Sequence, residues 1–241
     1  MQEKDNNLSK LYEKLSIKRD EFLDRGRECA ELTLPAILPY EGFGSSDNLY
    51  TPYQSVGSRG VNNLASKLLL LLLPPNAPFF RLSLSGKVRE ELDQDPKLKT
   101  SVEKSLAKIE REVMTFIEQS ALRVPVFSAL KHLIITGNVL VHFPKNGKMK
   151  IYPLSQYCLK RDSEGNLLEV VIKESLSPLS LKEEVRTACQ VTDADEEIDV
   201  YTCIKRQENG TYSGYQECNK VEIPGSYGIY KEDDLPYIPL R

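Results

Sequence analysis

Apolar side chains recur every three or four residues through most of the amino-terminal half of the chain, a spacing typical of amphipathic helices. This pattern predicts four helices, over residues 8–32, 55–73, 98–120 and 125–136. Pro74 and Pro75 end the second helix, and Asp95 with Pro96 marks the start of the third. The fourth helix is apolar on most sides, which indicates that it is buried.

The pattern changes after Gly137, where β-branched and aromatic residues alternate with polar ones between turn signals. It predicts three hairpins, formed by residues 139–143 with 149–152, 157–161 with 167–173, and 198–206 with 211–217. A short helix near residues 179–190 separates the second hairpin from the third. Successive hairpins predict an antiparallel sheet, so the expected class is α+β, with a mainly helical part (1–136) packed against the hairpins (137–241) in one module.

Six consecutive leucines, Leu68–Leu73, lie near the end of the second predicted helix. They place apolar side chains on every side of the helix, and such a helix is normally buried all round. We therefore expect the run to form a central core helix, enclosed by the other three helices. The surfaces expected to enclose it are Leu15, Phe22, Ile109, Phe116 and Leu130. The alternative is that part of the run faces a neighbouring subunit.

Composition limits the classes of function. The chain has 241 residues, of which 40% are hydrophobic and 28% charged, and a formal net charge of −3. This length allows one large or two small domains. The lack of a basic excess argues against a module that binds nucleic acid by neutralising phosphates. The leucine run is far shorter than the roughly 20 residues that span a bilayer, so we expect no membrane association. Five cysteines without a Cys-x-x-Cys pair argue against a disulfide framework.

Catalytic and metal-binding patterns are missing from the sequence. The two histidines are His132, in an apolar stretch typical of a core, and His142, in a strand where a cross-strand or solvent-facing position is expected. No nucleophile elbow or Cys/His cluster is present, and the acidic run of residues 193–199 lacks the glycine of a calcium loop. We expect no catalytic residue, no metal and no cofactor. A hydrolase built from dispersed carboxylates leaves no local signature and stays open.

The start of the second helix carries the one local motif, which comprises Gly57, Arg59, Gly60, Asn62 and Asn63. A helix start with glycines could hold an anion, but the Ala65-Ser66-Lys67 order does not match a phosphate-binding loop. The favoured interpretation is structural: Gly57 and Gly60 allow close packing, and Arg59 and Asn63 make polar contacts that fix the helix start. On this view Gly60→Val should harm folding more than Arg59→Lys.

Several stretches resemble the head-to-tail connector (portal) proteins of short-tailed, autographivirus-type bacteriophages. The most extensive of them is Thr51–Leu68, with the sequence TPYQSVGSRGVNNLASKL. Others, spread over essentially the whole chain, are Arg27–Pro35, Ala129–Leu140, Pro153–Tyr157, Arg161–Asn166, Ile198–Tyr201 and Pro236–Arg241. The long and dispersed match makes the resemblance specific.

The resemblance implies a structural virion protein, with no catalytic residues, that forms a ring of twelve copies at one capsid vertex and is assembled in the host cytoplasm. Its implied roles are genome packaging, retention and ejection, and tail attachment. Its implied partners are the major capsid protein, the scaffolding protein, the terminase that hydrolyses ATP, the tail adaptor proteins and double-stranded DNA that passes without sequence-specific binding.

In that family this chain would correspond to the amino-terminal wing, without the stem, clip and crown. The extended segment 235–241 accordingly predicts a natural protein that continues past Arg241. We expect neither ATP hydrolysis nor tight duplex binding. Two alternatives stay open: a phosphate- or nucleotide-handling enzyme that uses the Gly57–Lys67 helix start, and a scaffold or adaptor protein without a channel.

Overall fold

A computed structural model describes residues 7–40, 47–75, 77–86, 88, 95–144, 148–192 and 197–241. The helices are α1 (Leu8–Glu31), α2 (Val56–Leu72), α3 (Pro96–Gln119), α4 (Arg123–Thr136) and α5 (Glu183–Ala188). The strands are β1 (Val139–His142), β2 (Lys150–Tyr152), β3 (Tyr157–Arg161), β4 (Leu167–Leu176), β5 (Ile198–Arg206), β6 (Tyr212–Cys218), β7 (Val221–Glu222), β8 (Gly228–Tyr230) and β9 (Tyr237–Leu240). The four long helices and the α+β class are confirmed.

Local chemistry explains where the helices begin and end. The Asn7 side chain accepts a hydrogen bond from the Lys10 amide at the start of α1. Asp95 does the same for the first amides of α3, and Pro96 occupies the first helical position, where its missing N–H costs nothing. Gly137 ends α4 in the left-handed conformation, with φ at 68°.

The hairpins form antiparallel sheets as expected, but there are two such sheets among the described residues rather than one. β3 to β7 form a sheet in the order of the chain, with β8 paired to β6, while β1 lies between β2 and β9 in a separate three-stranded sheet. Pro153 and the 3₁₀ turn Leu154–Gln156 separate β2 from β3, and the far edge of β1 pairs with Tyr237–Leu240. Residues 145–147 of the first predicted turn lie outside the described residues.

Two apolar clusters cover opposite faces of the larger sheet. Val170 and Ile172 of β4 belong to one cluster and Val171 to the other, as the alternation of side chains along a strand requires. Helix α1 contributes to both clusters, through Leu8 and Tyr12 at its start and through Leu23 and Ala30 nearer its end. It therefore passes the edge of the sheet, beside β3.

Two buried polar groups fix α1 in that position. The backbone amide of Leu8 donates to both carboxylate oxygens of Glu217 on β6, at 3.1 and 3.3 Å. Halfway along the helix, the buried Arg19 guanidinium donates through Nη1 to the Tyr12 hydroxyl (2.6 Å) and to the Ser155 carbonyl (2.9 Å). It also pairs with Asp20 at 2.7 Å, which balances its charge. Arginine is suited to this role because one planar group supplies several donors.

The leucine run is not a core helix, and that expectation is wrong. Helix α2 packs against α4 through a face that contains the buried Val61 and Ala65, and α4 covers only that side. Leu70, Leu71 and Leu72 are 57%, 77% and 53% exposed. Among the side chains expected to enclose the run, Leu130 is buried and Leu15 half-buried. The other three are exposed: Phe22, Ile109 and Phe116.

The histidines occupy the two kinds of position that were expected. His132 is buried in α4, and its Nδ1 finds no hydrogen-bond partner in the part of the chain that the structure describes. His142 stacks across the β1–β9 ladder on Tyr237, with ring centroids 4.2 Å apart and planes 3° from parallel. Burial lowers the pKa of both imidazoles, that of His132 to about 4.

Replacement of Arg19 tests the fixation of α1. Arg19→Met keeps the aliphatic volume but removes charged hydrogen bonds to Tyr12 and Ser155, so we expect a loss of about 2–3 kcal/mol in the free energy of unfolding, measured in urea. The control is Arg25→Met, because the Arg25 side chain is 63% exposed and lies 3.9 Å from Glu21. It should cost less than about 0.5 kcal/mol. Equal losses in both variants would contradict the assignment.

His132 predicts acid sensitivity. The unfolded chain takes up the imidazole proton near pH 6.5 and the folded chain only near pH 4, because burial lowers the pKa. The contribution of the neutral His132 to stability is therefore fully present above pH 6.5. The free energy of unfolding falls by roughly 3 kcal/mol as the pH drops towards 4. In His132→Leu this part of the pH dependence should vanish from urea unfolding curves. An unchanged slope between pH 6.5 and 4.5 would refute the prediction.

Candidate assembly surface

Helix α2 presents an apolar face to solvent. Leu64 and Leu71 are 47% and 77% exposed, and the exposed Lys67 lies between them. Positions i, i+3 and i+7 fall on one side of a helix because successive residues are about 100° apart. The buried Val61 and Ala65 lie on the adjoining side of the helix, towards α4.

Helix α3 carries a second exposed apolar stripe. Leu98, Ile109, Val113 and Phe116 follow one side of the helix and are 52%, 47%, 38% and 70% exposed. No residue of this 24-residue helix is buried. Its other side lies against the segment 77–84, where the Leu82 amide donates to Glu110 Oε1 at 2.6 Å.

The carboxyl ends of α2 and α3 meet at one corner of the molecule. Arg123, at the start of α4 and just after α3, donates through Nη2 to the carbonyl of Pro74, just after α2, at 3.1 Å. The exposed ends of both helices, Leu70–Leu72 and Phe116, are therefore brought to the same region. Exposed apolar patches of this extent are typical of protein interaction sites.

The two glycines at the start of α2 have different surroundings. A Cβ on Gly57 would lie 2.4 Å from the Leu32 carbonyl oxygen, so this position needs glycine for close backbone approach. A Cβ on Gly60 would meet no atom of the described residues within 4 Å, so these residues lend no support to the expected packing role of Gly60. Gly60 lies instead on the exposed side of α2, because the bulk of α4 is on the other side.

The polar members of the motif make few contacts. Asn62 Nδ2 donates to the Ser58 carbonyl at 2.9 Å, which stabilises the first turns of α2. Arg59 and Asn63 are exposed, and their side chains make no hydrogen bond with the described residues. Their expected role in fixing the helix start therefore finds no contact in support. The Leu32 backbone lies beside the first turn, on the side of Gly57.

The described residues give little support to metal binding, to a reactive cysteine or to a membrane span. They contain no group of three or more His, Cys, Asp or Glu side chains placed to hold a metal ion. The cysteine thiols are unpaired, and burial raises the pKa of Cys158 to about 11 and that of Cys203 to about 12, which keeps both protonated. Among these residues no helix is both long and apolar enough to cross a membrane. Most of the acidic run, residues 193–196, lies outside the described residues.

Sequence reasoning missed the exposed face of α2, although a signal was present. Lys67 follows Leu64 by three residues and precedes Leu71 by four. A lysine at that spacing shares a helix face with both leucines and indicates that the face meets water or another chain.

The chain is similar to proteins of tailed phages. A family model described as "Bacteriophage head to tail connecting protein" matches residues 5–241. The portal proteins of Escherichia phage T7 and Enterobacteria phage T3 are 39% and 38% identical to it, and that of Enterobacteria phage SP6 is 30% identical. The alignments cover 96%, 95% and 98% of this chain but 45%, 44% and 46% of the relatives. The chain thus spans about half the length of the curated relatives it matches.

The two glycines of α2 form a matched pair for a stability test. Gly57→Ala should lower the free energy of unfolding by about 1–3 kcal/mol, because its methyl group collides with the Leu32 carbonyl. Gly60→Ala should raise it by about 0.5–1 kcal/mol, because alanine is the better helix former and the site is open. Urea unfolding of both variants gives the comparison. Shifts of the same sign would contradict the packing described here.

Proposed function

The chain belongs to the family of bacteriophage head to tail connecting proteins, and we propose that it is the wing-forming part of a portal subunit that assembles into a ring at one capsid vertex. The relatives named portal proteins support the class of protein. The observation that carries the assembly argument is that one chain leaves two helix faces, on α2 and α3, apolar and exposed.

Ring assembly explains why both faces are exposed. A closed ring is built from heterologous contacts, in which one surface of each copy meets a different surface of the next. Each copy must therefore present two separate surfaces that stay uncovered in the single chain. An apolar side chain such as Leu71, 77% exposed here, gains about 1.5–3 kcal/mol when it becomes buried.

The remaining roles follow from the family. We propose a ring of twelve copies, which admits and retains double-stranded DNA and binds capsid, scaffolding, terminase and tail adaptor proteins in the virion. The net charge of −3 suits a passage in which a polyanion slides without being held. The nucleotide-binding alternative at the start of α2 gains no specific observation, so we do not propose it.

Electron microscopy tests the proposal directly. The protein, purified as the phage gene encodes it, should form closed rings with a central hole. Leu71→Asp should keep its fold, with circular dichroism and free energy of unfolding close to those of the parent, because the side chain is exposed. The same variant should yield few or no rings. If the unsubstituted protein forms no rings, neither when purified nor in phage particles able to package DNA, the proposal is overturned.

Ala65→Asp is the matched control on the same helix. Ala65 is fully buried against α4, so a carboxylate there should unfold the chain. Loss of soluble protein in Ala65→Asp alone separates a folding defect from the assembly defect expected for Leu71→Asp.

A further inference from the structure

We propose that the exposed face of α2 in one copy packs against the exposed stripe of α3 in the next copy, with Lys67 opposite Glu112. This inference rests on the proposed function, since it assigns the contact that closes the ring. It commits to a second copy of this chain as the partner, and three features of the two faces support it.

The two faces have the same spacing. Leu64, Lys67 and Leu71 on α2 stand at i, i+3 and i+7, and so do Ile109, Glu112 and Phe116 on α3. The flanking apolar residues are exposed to similar degrees, 47% and 77% on α2 and 47% and 70% on α3. Helices that share a repeat can place their side chains side by side over two turns.

Lys67 and Glu112, the central residues of the two faces, carry opposite charges and are exposed to solvent. Lys67 is exposed, and it forms no ion pair with the described residues. Among the described residues Glu112 pairs with Lys108, with Nζ and Oε1 3.9 Å apart and both side chains mostly exposed. Such a contact contributes little in water. Helix α2 has no acidic residue at all, since its charged side chains are Arg59 and Lys67.

The same charges disfavour the other ways of pairing two copies. A two-fold contact centred on Lys67 of α2 would bring Lys67 against Lys67, and one centred on Glu112 of α3 would bring Glu112 against Glu112. Like charges buried in an interface cost several kcal/mol. Of these three pairings, the α2–α3 contact is the one that brings Lys67 to Glu112, and such a heterologous contact generates a ring or a filament rather than a dimer.

The described residues cover neither face. Helix α2 packs on α4, and α3 lies against the segment 77–84, so both apolar stripes stay exposed although the helices end at the same corner. The surface on each helix is therefore open for a neighbouring copy at the same time, as every member of a ring requires.

Charge reversal in the whole gene product tests the contact. Lys67→Glu and Glu112→Lys should each lower ring yield or ring affinity about tenfold or more, and the double variant should return to within about threefold of the parent. All three should keep the parent's circular dichroism and unfolding curve, because both side chains are exposed. Lys104→Glu, on another side of α3, is the control and should assemble like the parent.

The outcomes separate this inference from the proposed function. If the parent forms rings but both single reversals do so equally well, or the double variant fails to recover, the α2–α3 contact is wrong and the ring proposal stands. If the parent forms no rings, the proposed function itself fails.

Cysteine cross-linking gives an independent readout of the heterologous geometry. In a Cys29→Ser background, which removes the exposed thiol, chains that carry both Lys67→Cys and Glu112→Cys should give a ladder of linked copies on oxidation. Each single replacement should give none. A strong dimer band from either single variant would show a two-fold contact and overturn the proposal.

Discussion

The buried guanidinium of Arg19 determines where α1 passes the edge of the larger sheet, and both apolar clusters depend on that position. At this point the helix leaves the cluster around Val171 and enters the one around Ile172. An apolar side chain could fill the space but could not donate to the Tyr12 hydroxyl and to the Ser155 carbonyl in the 3₁₀ turn before β3. Because Asp20 balances the charge, the desolvation of Arg19 is offset within the helix itself. The fixed α1 then supports α4, which in turn carries α2.

The local part of this fold could be predicted from the sequence, whereas the long-range part could not. Helix limits follow from groups next to each terminus, such as Asp95 at α3 and Gly137 at α4, and the turn at Asp162 is set by its own side chain, which accepts from the Asn166 amide at 2.8 Å. The separation of the strands into two sheets depends on β9 pairing with β1, a contact between residues almost a hundred positions apart. No local pattern carries that information, since the same alternation of side chains suits either sheet.

The leucine run illustrates the same limit for packing. An all-round apolar helix predicts burial, yet it does not say whether the covering surface comes from the same chain or from another. Val61 and Ala65, small residues two turns earlier, are the ones that reach the interior. Their size lets α2 approach α4 closely, and the larger leucines beyond them extend past that contact. The candidate surface was therefore visible in the sequence only as an ambiguity, which Lys67 alone could have settled.

Helix α3 has few packing contacts within one chain, so the proposed assembly would also stabilise the helix itself. Isolated helices gain little from propensity alone, and most helical stability in proteins comes from packing of an apolar face. The 24 residues of α3 have a capping aspartate and one side against the segment 77–84, but no buried side chain. In the proposed assembly, burial of its apolar stripe by a neighbouring copy would supply further packing contacts and so stabilise the helix. A charge interrupts each apolar face, Lys67 on one and Glu112 on the other, and so limits the unbroken apolar surface that a single chain exposes. The loss of hydration on burial is best offset when each charge meets one of the opposite sign, so the proposed contact would favour specific over unspecific association.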